Sequence, residues 1–174
     1  DILDLSKIES NMLNIQYDTV NPYVVFNEIE QIFQLDIDKK SLRFIKNIDE
    51  TLPKALILDE GRIRQILVNI VGNAVKFTDE GYIKLSVRKE WVGKEQSKIN
   101  LIISVEDTGI GVPEDQQELI FESFRQQDGQ STRKYGGTGL GLSITKKLVE
   151  MMNGEIKLKS TIGEGSLFEI VLND

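Results

Sequence analysis

Asp107 closes an alternating, strand-like run, Ile103-Ser104-Val105-Glu106, and is followed by Thr108-Gly109-Ile110-Gly111. An ionised carboxylate only accepts hydrogen bonds. At the end of a buried strand it is placed to take one from an exocyclic amine. Adenine has such an amine, whereas guanine presents a carbonyl there, so the arrangement would choose ATP over GTP. Gly109 and Gly111 would let the backbone lie close to a base. The plainer alternative is an ordinary turn at a strand end. Further along, Gly136-Gly137-Thr138-Gly139-Leu140-Gly141-Leu142 opens a helical pattern. Glycine weakens a helix, so Gly139 and Gly141 in a first turn point to backbone opened for a ligand. The free N–H groups and the dipole of a helix start favour phosphate. No Gly-Lys-Ser/Thr follows, so this is not a P-loop. Glu114 and Leu142 occupy the places where a dinucleotide fingerprint needs its third glycine.

A third element precedes both. Over residues 59–77, at ~100° per residue, Ile63, Ile66, Leu67, Ile70, Val71 and Ala74 share one broad helix face. Arg62, Gln65, Asn69, Asn73 and Lys76 share the opposite one. For Arg62 and Gln65 a solvated face is the simplest reading. Asparagine is a mediocre helix former. Asn69 and Asn73 one turn apart, with Lys76 beyond them, form a row of two amide oxygens and a cation. That row suits a hard ion with phosphates, because Mg2+ takes oxygen ligands and usually keeps waters and phosphate oxygens, and lysine serves phosphate as a point charge. The polar stretch before the glycine-rich segment carries Arg125, Arg133 and Lys134. It reads either as a solvated loop or as a lid that brings a cation to a γ-phosphate. Phe121 and Phe124 would pack the lid root or serve as ordinary core.

These residues need a frame. Residues 1 to about 12 read as the tail of an amphipathic helix, with Ile2, Leu5, Ile8 and Met12 at spacings of three and four. The pattern is already under way at Asp1, which reads as a cut from a longer protein. Residues 11–19 read as extended. Asn21-Pro22 is a helix start, Asn as N-cap and Pro in the first position. That helix runs to about Lys39 with Val25, Ile29, Ile32 and Phe33 on one side. Strands are expected at 42–48, 83–88, 99–105, 155–160 and 166–172, with alternation carrying those at 83–88 and 99–105. Residues 93–97 suit a hairpin-like turn, 113–120 a short helix, 122–137 a mobile loop. A last helix is expected from about Thr138 to Asn153 with Gly154 as its stop. Gly163-Glu164-Gly165 would turn between the last two strands. The sum is an α/β fold, a two-layer sandwich of about five strands in a mixed sheet packed against three helices.

With 174 residues the chain is one domain of ordinary size, and 40% hydrophobic with 28% charged residues is a globular composition. A net charge of −7 argues against a nucleic-acid surface. The absence of cysteine excludes disulfides and thiolate sites. The absence of histidine excludes the commonest general base, and any phosphohistidine formed on this sequence. No apolar run approaches the ~20 residues of a membrane span.

Four ordered segments resemble those of one family, the sensor histidine kinases, whose hybrid members are included. Asn69-Ile70-x-x-Asn73-Ala74-x-Lys76-Phe77-Thr78 resembles their N box, and Asp107-x-Gly109-x-Gly111 their first glycine box. Phe121-Glu122-Ser123-Phe124 resembles the F box and Gly137-Thr138-Gly139-Leu140-Gly141-Leu142 the second glycine box. Weaker similarity continues through Gly154 and Gly163-x-Gly165-Ser166-x-Phe168. The opening Asp1-Ile2-Leu3-Asp4-Leu5-Ser6-Lys7-Ile8-Glu9 is similar to the end of the second dimerisation helix. The resemblance implies that residues 1–12 are the end of a dimerisation and phosphoacceptor helix with its linker. Residues 13–174 would be a catalytic ATP-binding domain of the Bergerat fold.

The same resemblance implies ATP and Mg2+ as ligands, with Asn73 on the metal and Lys76 on phosphate. Asp107 would read the adenine amine, flanked by Phe77, Gly109, Ile110 and Gly111, with Ser166 holding a water. Lys134 and the stretch Gly137, Thr138, Gly139, Leu140, Gly141 and Leu142 would line the triphosphate, and Arg133 would reach its end. Related ATPases carry a glutamate at the position of Asn69 to activate water. Asn69 is a poor base, which suits a kinase. Asn69, Asn73, Lys76 and Arg133 would form the catalytic group. The acceptor would be a histidine on a dimerisation domain of the same protein, followed by an aspartate of a response-regulator receiver domain. Neither nucleic acid nor membrane contact is implied for this domain, which would be the cytoplasmic part of a membrane-anchored bacterial sensor. Two other readings stand beside this one. One is an ATPase or serine kinase of the same fold, the other a non-catalytic module that senses nucleotide.

Overall fold

A computed structural model describes residues 2–10, 12–93, 98–122 and 139–173. Five strands form the main sheet: β2 (Arg43–Ile48), β4 (Tyr82–Val92), β5 (Lys98–Asp107), β6 (Gly154–Thr161) and β7 (Gly165–Leu172). Their order is β2-β4-β5-β7-β6. β2 runs parallel to β4 and every other neighbouring pair is antiparallel, so the sheet is mixed as expected. Alternation sets its two faces. Ile83, Leu85, Val87, Leu101, Ile103, Val105, Phe168, Ile170 and Leu172 are buried on the inner face. The outer face carries charge, with Lys84 beside its strand partner Glu106 and Arg88 reaching across β5 to Glu169. A sheet covered on one side needs that alternation to remain wet on the other.

Three helices cover the inner face: α2 (Pro22–Lys39) over β2, α3 (Glu60–Phe77) over β4 and β5, and α4 (Gly141–Met151) over β6. Asn21 caps α2 by accepting from the Tyr23 N–H at 3.1 Å, with Pro22 in the first turn. Asp59 caps α3 through the Arg62 N–H at 3.0 Å. Its other oxygen accepts from the Gln16 N–H at 2.8 Å, so one carboxylate starts the helix and pins the preceding loop. Ile63, Ile66, Leu67, Ile70, Val71 and Ala74 are all buried, as the period predicts. A further helix, α1 (Ile2–Glu9), lies against α4, and its Ile8 joins the same core.

Several details differ from the sequence reading. A two-stranded ribbon of β1 (Asp18–Val20) and β3 (Leu56–Leu58) lies apart from the main sheet. β3 is three residues long, too short to show a period. Residues 114–121 form two 3-10 turns rather than an α-helix. Leu13, not Met12, enters the core, because α1 ends at Glu9 and the period stops there. Ile32 is 51% exposed and Phe26 takes its expected place inside. Arg62 and Gln65 are half-buried and bond to each other at 2.9 Å rather than to solvent alone. The left-handed residue that stops α4 is Asn153 (φ 57°), not Gly154. Gly154 already belongs to β6, where a Cβ would lie 2.6 Å from the Val171 carbonyl oxygen and 2.8 Å from Leu172. Its small size serves close packing, not a turn. The expected turn at 93–97 falls mostly outside the described residues, as does the expected loop at 122–137.

Candidate nucleotide site

Asp107 is the last residue of β5 and only 8% exposed. Its Oδ1 accepts from the Gly109 N–H at 2.8 Å, and the Ser166 N–H also donates toward the carboxylate. Burial raises its pKa from the ordinary aspartate value, with Glu106 pushing the same way and the two backbone donors opposing. A carboxylate kept out of water costs free energy unless something is gained from it. The Cα partner of Asp107 across the sheet is Ser166 in β7. Ser166 Oγ lies 2.9 Å from Ser160 Oγ, and Ser160 also accepts from the Val112 N–H at 2.8 Å. Gln117 Nε2 donates to the carbonyls of Val112 at 3.1 Å and Ser160 at 2.8 Å. Ser160 and Gln117 therefore tie the loop after Asp107 to the ends of β6 and β7. Neither was singled out in the sequence, where nothing links them to residue 112.

The glycines after Asp107 also have a reason within the protein itself. A Cβ on Gly109 would meet the Phe77 carbonyl oxygen at 2.6 Å. On Gly111, at φ 72°, it would meet the Thr161 carbonyl oxygen at 2.1 Å. Neighbouring chain thus excludes side chains at both positions. The Ile110 N–H donates to the Phe77 carbonyl at 3.3 Å, which joins this loop to the end of α3.

At the other end of the same α3 face, Asn69 meets the start of α4. Its Nδ2 donates to the Gly141 carbonyl and to Thr145 Oγ1, both at 3.2 Å. With the amide nitrogen committed to α4, Oδ1 is the atom left for other partners. α4 begins at Gly141, preceded by Gly139 at φ 69°, so the helix starts later than about Thr138. Leu140 is its N-cap, and no side chain among the described residues caps it. Its first N–H groups thus keep their capacity to bind an anion. Leu140 is 1% exposed and Leu142 packs against the core, so at this site both would act through their backbone. Asn73 and Lys76 lie between these two ends, both half-buried. Asn69 to Phe77 spans about 12 Å at a rise of ~1.5 Å per residue.

Burial pulls the Lys76 ammonium below its ordinary pKa. It sits 4.7 Å from the Phe77 ring centroid. It also borders a cleft between α2 and α3 with Phe33, Asp36, Lys39, Lys40, Gly72 and Val75. None of Asn69, Asn73, Asp107 or Gly141 lines that cleft, so it is not the space between the two glycine segments. Arg133, Lys134, Gly137 and Thr138 lie outside the described residues, as do Phe124 and Arg125. Phe121 is half-buried, edge-on to Phe168 at 6.3 Å, and belongs to the core margin. Among the described residues no cluster of three or more His, Cys, Asp or Glu side chains could hold a metal ion. No described helix is long and apolar enough to cross a membrane.

Residues 58–174 match the model of the histidine kinase-, DNA gyrase B- and HSP90-like ATPases. The chain belongs to that family. It is 44% identical over 168 residues to the autoinducer 2 sensor kinase/phosphatase LuxQ of Vibrio vulnificus (strain YJ016), covering 97% of this chain and 20% of that protein. The chain thus spans about a fifth of that curated relative. Full-length ShkA in complex with AMPPNP superposes with a TM-score of 0.83 at 29% identity, over 98% of this chain and 34% of that one. The catalytic domain of the histidine kinase ThkA gives 0.72 at 26% identity, over 91% and 97%. This is an ATP-binding catalytic domain of the histidine kinase type, and its mixed five-stranded sheet under helices is the fold of those neighbours.

Proposed function

We propose that this domain binds Mg-ATP between Asp107 and the start of α4 and supplies the γ-phosphoryl group to a histidine of a sensor kinase. The observation that carries this reading is the buried Asp107 carboxylate, held by backbone donors at one end of a helix face whose other end meets a helix start that no described side chain caps. Asp107 would accept from the adenine amine and disfavour guanine. The first-turn N–H groups of α4 from Gly141 would hold phosphate oxygens, with Gly137, Thr138 and Gly139 leading into that turn. Lys76 would add a point charge there, and Lys134 and Arg133 would reach it from the preceding segment. Asn73 fits a magnesium ion as a neutral oxygen ligand. The absence of an acidic cluster among the described residues agrees with a metal held mainly by phosphate and water. When bound, Mg2+ would offset charge on the phosphates.

The reaction is attack of a neutral imidazole nitrogen on the γ-phosphorus with ADP leaving. The protein's part is positioning and charge stabilisation. Asn69 has no basic group to activate water, and its amide nitrogen is engaged by α4, which favours transfer over hydrolysis. The acceptor histidine cannot come from this sequence, which has none. It would lie on a dimerisation domain of the same protein, of which residues 1–12 are the end and to which 13–174 are joined. The phosphoryl group would pass on to a receiver-domain aspartate, with the whole reaction on the cytoplasmic side of a membrane-anchored sensor.

The test is a titration with a fluorescent ATP analogue with and without Mg2+, competed by ATP or GTP. Saturable, Mg2+-dependent binding displaced by ATP and not by GTP is expected. A folded chain that binds none of these refutes the reading. For the protein with its dimerisation domain, γ-labelled ATP should give an acid-labile, base-stable phosphoprotein. Release of phosphate with no label on protein would favour an ATPase instead.

A further inference from the structure

We infer that Lys40, at the end of α2, is a positioning residue for the nucleotide site. It acts through the last turn of α3. Its Nζ donates to three backbone carbonyls of that turn, those of Val75 at 2.8 Å, Lys76 at 3.0 Å and Thr78 at 2.9 Å. Asp79 Oδ1 lies 3.3 Å away. The last carbonyls of a helix have no partner within it and carry the negative end of its dipole. Many helices meet that need with a left-handed residue, usually glycine, just past the end. α3 does not: Thr78 follows in extended conformation (φ −103°, ψ 119°) and the chain leaves at once toward Asp79. An ammonium from a neighbouring helix does the work instead.

The placement of this cap links it to function. The carbonyls that Lys40 holds include that of Lys76, one of the two residues proposed to meet phosphate and metal. The next carbonyl, of Phe77, is the one that receives the Ile110 N–H and against which Gly109 is pressed. The last turn of α3 is therefore clamped between Lys40 on one side and the loop after Asp107 on the other. Without the ammonium, three carbonyls facing α2 must find water. The turn then frays, and Lys76 and Phe77 lose their fixed relation to Asp107. A second lysine provides the contrast. Lys89 has a side chain only 7% exposed and bonds the Thr51 carbonyl at 2.6 Å and Asp49 at 3.3 Å. It pins the loop around residues 49–52, which the nucleotide site does not use.

The inference rests on the reading that Asn69 to Phe77 faces bound ATP, so the experiment separates the two. Lys40→Met, Lys40→Gln, Lys40→Arg and Lys89→Met are compared with the native chain and Asp107→Asn. Each is titrated with the fluorescent ATP analogue at a temperature where circular dichroism shows it folded. Lys40→Met and Lys40→Gln should weaken binding at least about fivefold, with Lys40→Arg regaining most of the loss, since a guanidinium can also cap. Lys89→Met should lower the melting temperature yet leave affinity within about twofold. Native-like affinity in Lys40→Met, beside lost affinity in Asp107→Asn, overturns the role of Lys40 and leaves the ATP site standing. Equal weakening by Lys89→Met also overturns it, because the effect would then be general destabilisation. If Lys40→Met does not fold, Lys40→Gln decides by the same criterion. No binding by the native chain removes the reading on which the inference rests.

Discussion

Replacing Asp107 by asparagine changes one oxygen into an NH2 group without changing shape. The two consequences run in opposite directions. In the folded chain the carboxylate is 8% exposed and its pKa is raised, chiefly by burial. The native state therefore holds this proton to higher pH than the unfolded chain does. Between the unfolded and the raised folded pKa, stability falls as pH rises, and at neutral pH the ionised group costs stability. Asparagine removes that cost, and its Oδ1 can still accept from the Gly109 N–H. We expect unfolding free energy to stay within about 1 kcal/mol of the native value, or to increase. Binding should suffer instead. A hydrogen bond to a charged group contributes about 1.5–3 kcal/mol net, so ATP affinity should fall roughly 10- to 150-fold. GTP should lose much less, since an amide can donate to its carbonyl. The assays are urea unfolding and nucleotide titration on the same preparations. Acidification supplies a second arm. As pH falls through the raised pKa of Asp107, native affinity should drop more steeply than that of Asp107→Asn, in which residue 107 no longer titrates. Stability lowered by more than about 2 kcal/mol with affinity unchanged would refute the reasoning and make Asp107 a turn residue.

Asn73→Ala should bind the nucleotide analogue with an affinity that no longer responds to Mg2+; a retained response in the same titration would move the ligand elsewhere. Asn69→Asp removes the donor that meets the Gly141 carbonyl and Thr145 Oγ1 and sets an anion against the carbonyl. It should cost about 1–3 kcal/mol in chemical denaturation, and native stability would show that the α3–α4 contact does not depend on this amide. Gly111→Ala places a Cβ 2.1 Å from the Thr161 carbonyl oxygen at φ 72°. A loss of at least about 2 kcal/mol is expected by thermal unfolding, and a smaller loss would mean that the loop and β6 separate easily.

Much of the site could be read without coordinates, because its parts are local. Asp59 and Asn21 announce helix starts by residue type, and the row from Asn69 to Lys76 follows from a period of 3.6. The strand β4 shows its alternation because one face is buried and the other carries Lys84, Ser86 and Arg88. The order of the four segments was enough to suggest the family and with it the nucleotide. What escaped were contacts between segments distant along the chain. Lys40 reaches carbonyls 35 to 38 residues away. Ser160 closes on Val112 across 48 residues. The close approach of Gly109 to Phe77 and of Gly111 to Thr161 leaves no mark in the sequence, where Gly154 reads as a helix stop although it packs under Val171. Sequence encodes period, caps and charge at each position, and these determined the elements and the chemistry available to them. It does not state which backbone atoms of one element will lack partners until another is folded against them. Tertiary structure decided which lysine closes α3, which serine ties down the loop after Asp107, and why each glycine must stay small, since those needs arise only where elements meet.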